Sequence, residues 1–452
     1  MDSKPNIIVI TIDSLRADHL GFLGYEKNVS PNIDAFSKES AVFNKAFSVG
    51  PGTAYSFPAI LTSTYPLDFH GPREIERPRV MVSEAFKQAG YTTAFIHSSP
   101  YLSDYFGYNK GWDYFEDMYP GSRSGAIQKS FLKNVFKEIT LSSFPEILFR
   151  TMYLRYKKGG RKNSEIKTPG HIISQTAKDL VSSVKDKPFF IWIHYMDLHV
   201  PYIPQEKYNS GEKLSFEQVI SDYIGIVFYS YSEKKALKRF INNKFKKKYL
   251  DRAISFYDDQ IAFTDRLFGE FTDFLKRENL YSNSVICLAG DHGDEFLDHG
   301  GLTHTGTLYN ELLHVPLLIK APGKAIGQIK EKVSLIDLSP TLCSLAGLQP
   351  PDVFKGSSLF ENRKGIVFHQ GGQLKKGGET NDKAEKIKRC RTACQTENYK
   401  YIFNHSGKQE LYNLLKDSQE QNNVAGEETE ICSQMKNRVE EFLRKNPPFS
   451  AL

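Results

Sequence analysis

Residues 7–12, IIVITI, form a β-branched run with no polar alternation, the pattern of a strand covered by helices on both faces of a parallel sheet. The signature returns at 92–97 (TTAFIH), 188–194 (PFFIWIH), 284–289 (SVICLA) and 315–319 (VPLLI), and helical spacing fills the intervals at 82–88 and 253–276. Strand and helix alternating over most of the chain predict a doubly wound α/β sheet. Such sheets place their sites at the carboxyl ends of the strands, and the residues directly after these strands are Asp13, Asp197 with His199, and Asp291 with His292.

The remaining sequence bounds the answer. With 452 residues, 40% of them hydrophobic, the chain can bury a large core, and its 32 glycines and 21 prolines show no period, which excludes collagen and repeat arrays. After Leu348 the Pro-rich break QPPDVFKG leads into strand-like pieces at 365–369 and 399–403 and a helical stretch at 435–443. The expected division is therefore a catalytic domain over 1–348 and a small C-terminal α+β subdomain over 349–452.

Lys and Arg exceed Asp and Glu by 59 to 53, a surplus of +6 that is too small and dispersed for a nucleic-acid partner but suits an anionic substrate. Basic segments at 149–167 and 234–252 read as solvated helix faces, with peripheral contact to an anionic membrane or polysaccharide as the alternative. The opening apolar run is too short for a signal segment, and no apolar stretch approaches the ~18 residues of a membrane span, so a soluble, cytoplasmic protein is expected. The five cysteines, Cys287, Cys343, Cys390, Cys394 and Cys432, are odd in number and form no CxxC pair, which favours buried thiols over disulfides or a zinc knuckle.

Chemistry concentrates at two strand ends. Asp13 follows one strand, and Asp291 and His292 follow another within CLAGDHGDEFLDHG, where Asp294, Glu295, Asp298, His299 and the nearby His304 add an unusual density of ligand types. Two hard oxygen ligands and an imidazole make a divalent-metal site.

The phrases ITIDSLRADHLGFLGY, LTSTYP, AGDHGDEFLDHGGLTHTGTLYNELLHVPLLIKAPG and ELYNLLKDSQEQNNVA resemble the sulfatase family of the alkaline phosphatase superfamily, as do GYTTAFI, PFFIWIHYMDLHVPY and VSLIDLSPTLCSLAGL between them. The resemblance implies an alkaline-phosphatase-like α/β domain, a smaller C-terminal domain, and one or two divalent metals beside a nucleophile at a helix start. True sulfatases carry Cys or Ser in C/S-x-P-S-R, converted to formylglycine, nine positions before the Thr of a following Leu-Thr-Gly. Here that Thr is Thr62, so the counterpart is Thr53, and Phe57 replaces the Arg. Thr cannot become formylglycine. It resembles instead the superfamily's phosphodiesterases, phosphoglycerol transferases and phosphoethanolamine transferases, in which a metal-bound Thr hydroxyl attacks phosphorus. Coordination lowers the hydroxyl's pKa, and the Gly50-Pro51-Gly52 approach allows a tetrahedral anion close to a helix N-terminus.

Further departures accompany this one. The Lys-x-His pair expected after GYTTAFI is replaced by His97-Ser98-Ser99-Pro100, and the usual pair of adjacent acids becomes Asp13-Ser14. The implied ligand set is Asp13, Thr53, Asp291 and His292 around one metal, while a second metal would draw on Asp197, His199 and His304. Mixed oxygen and nitrogen ligation favours Mn²⁺, with Ca²⁺, Mg²⁺ or Zn²⁺ possible. His199 matches the family histidine that touches the ester anion, and His304 occupies the position near the leaving group, so either can act as acid or anion stabiliser. The expected function is metal-dependent hydrolysis of phosphoric or sulfuric esters, on an anionic small-molecule or glycan ester substrate, with Thr53 as nucleophile. A phospho-alcohol transferase on the same site and a non-catalytic binding scaffold are the alternatives.

Overall fold

In the computed structural model the described residues are 4–119, 168–200, 202, 243–304, 306–361, 365–372 and 382–450, without the side chains of 243–249. The basic segment 149–167 and residues 234–242 lie outside them.

The main sheet contains β1 (Asn6–Ile12), β2 (Ala41–Phe47), β3 (Thr92–His97), β4 (Tyr114–Asp117), β5 (Phe189–Tyr195) and β6 (Ser284–Gly290). After the short hairpin of β7 (Glu295–Phe296) and β8 (Leu302–Thr303), it is completed by β9 (His314–Val315), β10 (Leu317–Lys320) and β11 (Gly327–Ser334). The order is β11-β2-β10-β6-β1-β5-β3-β4, with β9 alongside β2. β6, β1, β5, β3 and β4 run parallel. The doubly wound sheet read from the sequence is present, with one correction: β10 runs antiparallel to both β6 and β2. The expected strand at 315–319 is broken at Pro316, whose ring removes the amide a continuous ladder needs.

Every residue of β1 is buried, and its side chains alternate between two helical layers. Ile8, Ile10 and Ile12 face one cluster, and Ile7 and Val9 face the other. The first layer comprises α1 (Pro31–Ser37), α4 (Gly170–Val184) and α5 (Asn243–Arg277); the second holds α2 (Thr53–Thr62), α3 (Val82–Gln88) and α7 (Leu338–Leu345). In α5 the buried residues Tyr257, Ile261, Thr264, Phe268, Phe271 and Leu275 recur every three or four positions, the stripe that lays a helix on a sheet. No helix among the described residues is long and apolar enough to cross a membrane. All five cysteines are buried free thiols.

The C-terminal subdomain is the antiparallel sheet β12 (Val367–Gly372), β13 (Cys390–Gln395), β14 (Tyr399–Asn404) and β15 (Gln409–Asn413), with α8 (Lys383–Lys388) and α9 (Thr429–Lys445). The pleat sorts its two faces. Cys394, Tyr401 and Leu411 pack on Cys432, Met435 and Val439 of α9. Their neighbours Ala393, Ile402 and Tyr412 pack with Val367 on Phe47, Leu308, Leu312 and Leu313 of the larger domain, the last two from α6 (Asn310–Leu313). That contact sets the small sheet against the segment following β6, which carries much of the chemistry.

Candidate active site

The register of β1 against β6 and β5 pairs Ile12 with Gly290 and with Tyr195, so Asp13 and Asp291 emerge side by side from adjacent parallel strands. The Asp13 amide donates to the Tyr195 carbonyl at 2.9 Å, fixing where the chain leaves the sheet. Asp291 accepts hydrogen bonds from the amides of His292 (2.9 Å) and Ser14 (3.2 Å) and from the Ser56 hydroxyl (3.3 Å). Thr53 is the first residue of α2. Its hydroxyl donates to Asp13 Oδ2 at 3.0 Å and lies 3.4 Å from His292 Nε2. Gly52 precedes it at φ 145°, a conformation that favours glycine, so the turn delivering Thr53 depends on that residue. The first amides of a helix lack intrahelical partners, which makes the start of α2 a suitable seat for an anion.

His292 Nδ1 donates to the Gly293 carbonyl at 2.8 Å, which leaves Nε2 as a lone pair, 3.5 Å from Asp291 Oδ2 and 4.0 Å from Asp13 Oδ2. Asp13, Asp291 and His292 are completely buried and Thr53 is nearly so. Burial alone would raise the Asp13 pKa, but the surrounding His199, His194 and His292 outweigh it and hold the carboxyl well below its usual range. Asp291 goes the other way, to about 8, because of burial and then the adjacent Asp13 charge. Burial also lowers the pKa of His292, keeping its lone pair available. Two buried carboxylates, an imidazole lone pair and a hydroxyl, all converging, fit a divalent metal by the chemistry of the donor set.

His304 and His199 form a second tier. Their ring centroids lie 5.1 Å apart, and His304 is 4.7 Å from His292. His304 Nδ1 is paired with Asp294 Oδ1 at 2.8 Å, and Tyr202 donates to the other oxygen of Asp294 at 2.6 Å. Burial opposes a charge on His304, but Asp294 prevails and raises the pKa to about 9, so the ring is protonated at neutral pH. His199 donates from Nδ1 to the Val200 carbonyl at 2.7 Å, and burial lowers its pKa. One imidazole is therefore an acid and its neighbour is neutral.

Asp197, expected among the ligands of a second metal, lies elsewhere: it accepts from the Gly170 amide at 3.0 Å, at the start of α4. An acid directly after a strand also suits a helix start, and spacing does not separate the two roles. The sequence reading gave no role to Ser14 and Ser56, which hold the carboxylates, and it named Asp294 only within a dense polar stretch. The signal for Asp294 was present in the three-residue step from Asp291 along the same loop. His194 also joins the cluster, with ligand atoms of Asp13, His194 and Asp291 all within 4.8 Å of one another.

The family model described as Sulfatase matches residues 5–348, and one described as N-sulphoglucosamine sulphohydrolase, C-terminal, matches residues 299–445. An arylsulfatase from Clostridium perfringens is 26% identical over 98% of this chain and 93% of its own length. An endo-4-O-sulfatase from Bacteroides thetaiotaomicron is 25% identical over 82% of this chain and 76% of its own. Among solved structures, the phosphonate monoester hydrolase of Agrobacterium radiobacter superposes with a TM-score of 0.69 at 17% identity, covering 97% of this chain and 95% of the other.

Proposed function

The chain belongs to the sulfatase family of ester hydrolases, and from that premise we propose that it cleaves phosphoric or sulfuric esters with Thr53 as nucleophile and a divalent cation held by Asp13, Thr53, Asp291 and His292. The observation that carries the reading is the Thr53 hydroxyl, at a helix start, 3.0 Å from Asp13 and 3.4 Å from the free lone pair of His292. When bound, the cation supplies acidification of that hydroxyl and charge neutralisation around the reacting ester.

The side chains then divide the work. Thr53, deprotonated, attacks phosphorus or sulfur in line while the ester's alcohol departs, and His304 gives its proton to the leaving oxygen. The start of α2 holds the equatorial oxygens, and His199 donates to one of them once the bound anion brings a proton to its Nε2. Water attacks the Thr53 ester from the vacated side, transfers a proton to His304, and frees the Thr53 oxygen. Phosphorus suits this cycle better than sulfur, because a sulfo-Thr lacks the elimination route that a formylglycine diol provides. The relatives named as sulfatases keep sulfated glycans among the proposed substrates, and Mn²⁺ is the proposed metal. The division of the chain at 348/349 is proposed on the same basis, with the small sheet closing one side of the site.

The test is a screen of purified protein with Mn²⁺, Ca²⁺, Mg²⁺ and Zn²⁺ against aryl sulfate, phosphate monoester, phosphate diester and phosphonate monoester. A preference for one class above about tenfold, or ~1.4 kcal/mol of barrier, assigns the reaction. No hydrolysis of any class with any metal would overturn the proposal.

A further inference from the structure

Ser14 stands where the sulfatase pattern carries a second acid, and Phe57 where it carries an arginine. Phe57 adjoins His194, a residue that the sequence passes over, and both Ser14 and His194 lie beside Asp13. The Ser14 hydroxyl donates to Asp13 Oδ1 at 2.7 Å and covers that side of the carboxylate. On the other side, His194 Nε2 lies 3.7 Å from Asp13 Oδ2. Phe57 packs edge-on against the His194 ring, with centroids 4.8 Å apart, where a guanidinium would have repelled a cation.

The His194 side chain is completely buried, and its Nε2 has no hydrogen-bond partner among the described residues. Leaving a buried ring nitrogen unsatisfied is costly. A separation of 3.7 Å is too long for a hydrogen bond, but it suits two donor atoms sharing one cation. The neighbouring spacings are alike: 3.4 Å from Thr53 Oγ1 to His292 Nε2, and 3.5 Å from His292 Nε2 to Asp291 Oδ2.

The far side of the ring agrees. His194 Nδ1 is 3.0 Å from the Thr11 hydroxyl, which also accepts from Trp192 Nε1 at 3.0 Å and reaches the Ile193 carbonyl at 3.4 Å. Thr11 can donate to Ile193 while accepting from both Trp192 and His194. That arrangement places the His194 proton on Nδ1 and leaves Nε2 as a lone pair facing the carboxylates. A metal-binding histidine donates its other ring N–H in this way.

We propose that His194 is a direct ligand of the cation, replacing the second acid that Ser14 has displaced. The inference rests on the metal site proposed above and deepens it. Two carboxylates, a hydroxyl and two imidazoles form a softer cage than an all-oxygen one, which favours Mn²⁺ or Zn²⁺ over Ca²⁺ and Mg²⁺.

Pulsed electron paramagnetic resonance of the Mn²⁺-loaded protein, with ¹⁴N- and then ¹⁵N-labelled histidine, counts directly bound imidazoles without relying on activity. The expected result is two in the wild type and one in His194→Gln, whose Mn²⁺ affinity falls by at least about tenfold. Ser14→Asp added to His194→Gln should restore much of that affinity. His304→Ala and His199→Ala should each keep two imidazoles, which leaves His194 as the second ligand even if the Gln variant does not fold. Mn²⁺ bound with a single imidazole in the wild type, or an unchanged count in His194→Gln, overturns the role of His194 and leaves the metal site standing. Failure of the wild type to bind Mn²⁺ or Zn²⁺ overturns both.

Discussion

Lys400 on β14 and Glu420 lie in the contact between the two domains, both without solvent exposure, with Nζ 2.8 Å from Oε1. Lys400 also donates to Asn310 Oδ1 at 3.1 Å, and Glu420 Oε2 accepts the Asn310 amide at 2.7 Å. Lys400→Met removes one charge and strands the other in a dry site, at a cost of roughly 3–5 kcal/mol. At ~2 °C per kcal/mol for a chain of this size, the melting temperature should drop by about 6–10 °C. Burial already raises the Glu420 pKa, and losing Lys400 raises it further. A carboxyl whose folded pKa exceeds its unfolded value of about 4.3 destabilises the fold as pH rises through that range. The deficit should therefore be small near pH 5 and complete by pH 8. Calorimetry of wild type, Lys400→Met, Glu420→Gln and the double variant over that range measures both features. Glu420→Gln keeps an acceptor for Asn310, so the double variant should recover more than half of the loss. A deficit below ~1 kcal/mol, or one independent of pH, would refute the reasoning.

Asp291→Asn should weaken metal binding by more than the ~100-fold that an outer-shell partner can be worth, as measured by titration calorimetry; unchanged affinity would remove Asp291 from the site. His304→Ala should slow substrates with poor leaving groups by ~10²- to 10⁴-fold and those with acidic leaving groups much less; the wild-type rate should fall above about pH 9, where His304 loses its proton. His299 pairs with Glu311 at 2.7 Å and with the Glu420 carbonyl at 2.9 Å, and although burial opposes its charge, these partners raise its pKa to about 9. Its stabilising contribution is complete below about pH 6.5 and lost as pH rises to 9, so the melting temperature should decline over that window, and His299→Gln should flatten the decline.

The sheet was legible where strands are covered on both faces, because β1, β3, β5 and β6 carry unbroken apolar runs. Strands β2 and β11 read AVFNKAF and GQIKEKVS, interrupted by polar residues toward the sheet's edge, and no long apolar run announces them. The antiparallel direction of β10 was invisible, since direction depends on connections and not on side-chain pattern. Asp13, Thr53, Asp291 and His292 were legible through strand ends and the family phrases, and the structure brings them together. His194 was passed over because a histidine closing a buried strand looks the same whether its nitrogen meets a backbone or a cage. Only its orphaned Nε2 separates the two. Asp197, which also follows a buried strand, is hydrogen-bonded to the Gly170 amide at the start of α4.

The central claim is a covalent ester on Thr53, and the direct measurement is rapid acid quench during turnover followed by peptide mass spectrometry, with a phosphoryl or sulfuryl substrate of acidic leaving group. The account predicts the group on Thr53 alone, a burst of product matching its accumulation, no adduct and no turnover in Thr53→Ala, and appreciable turnover in Thr53→Ser. A burst with the adduct on another residue, or full activity in Thr53→Ala, would contradict it.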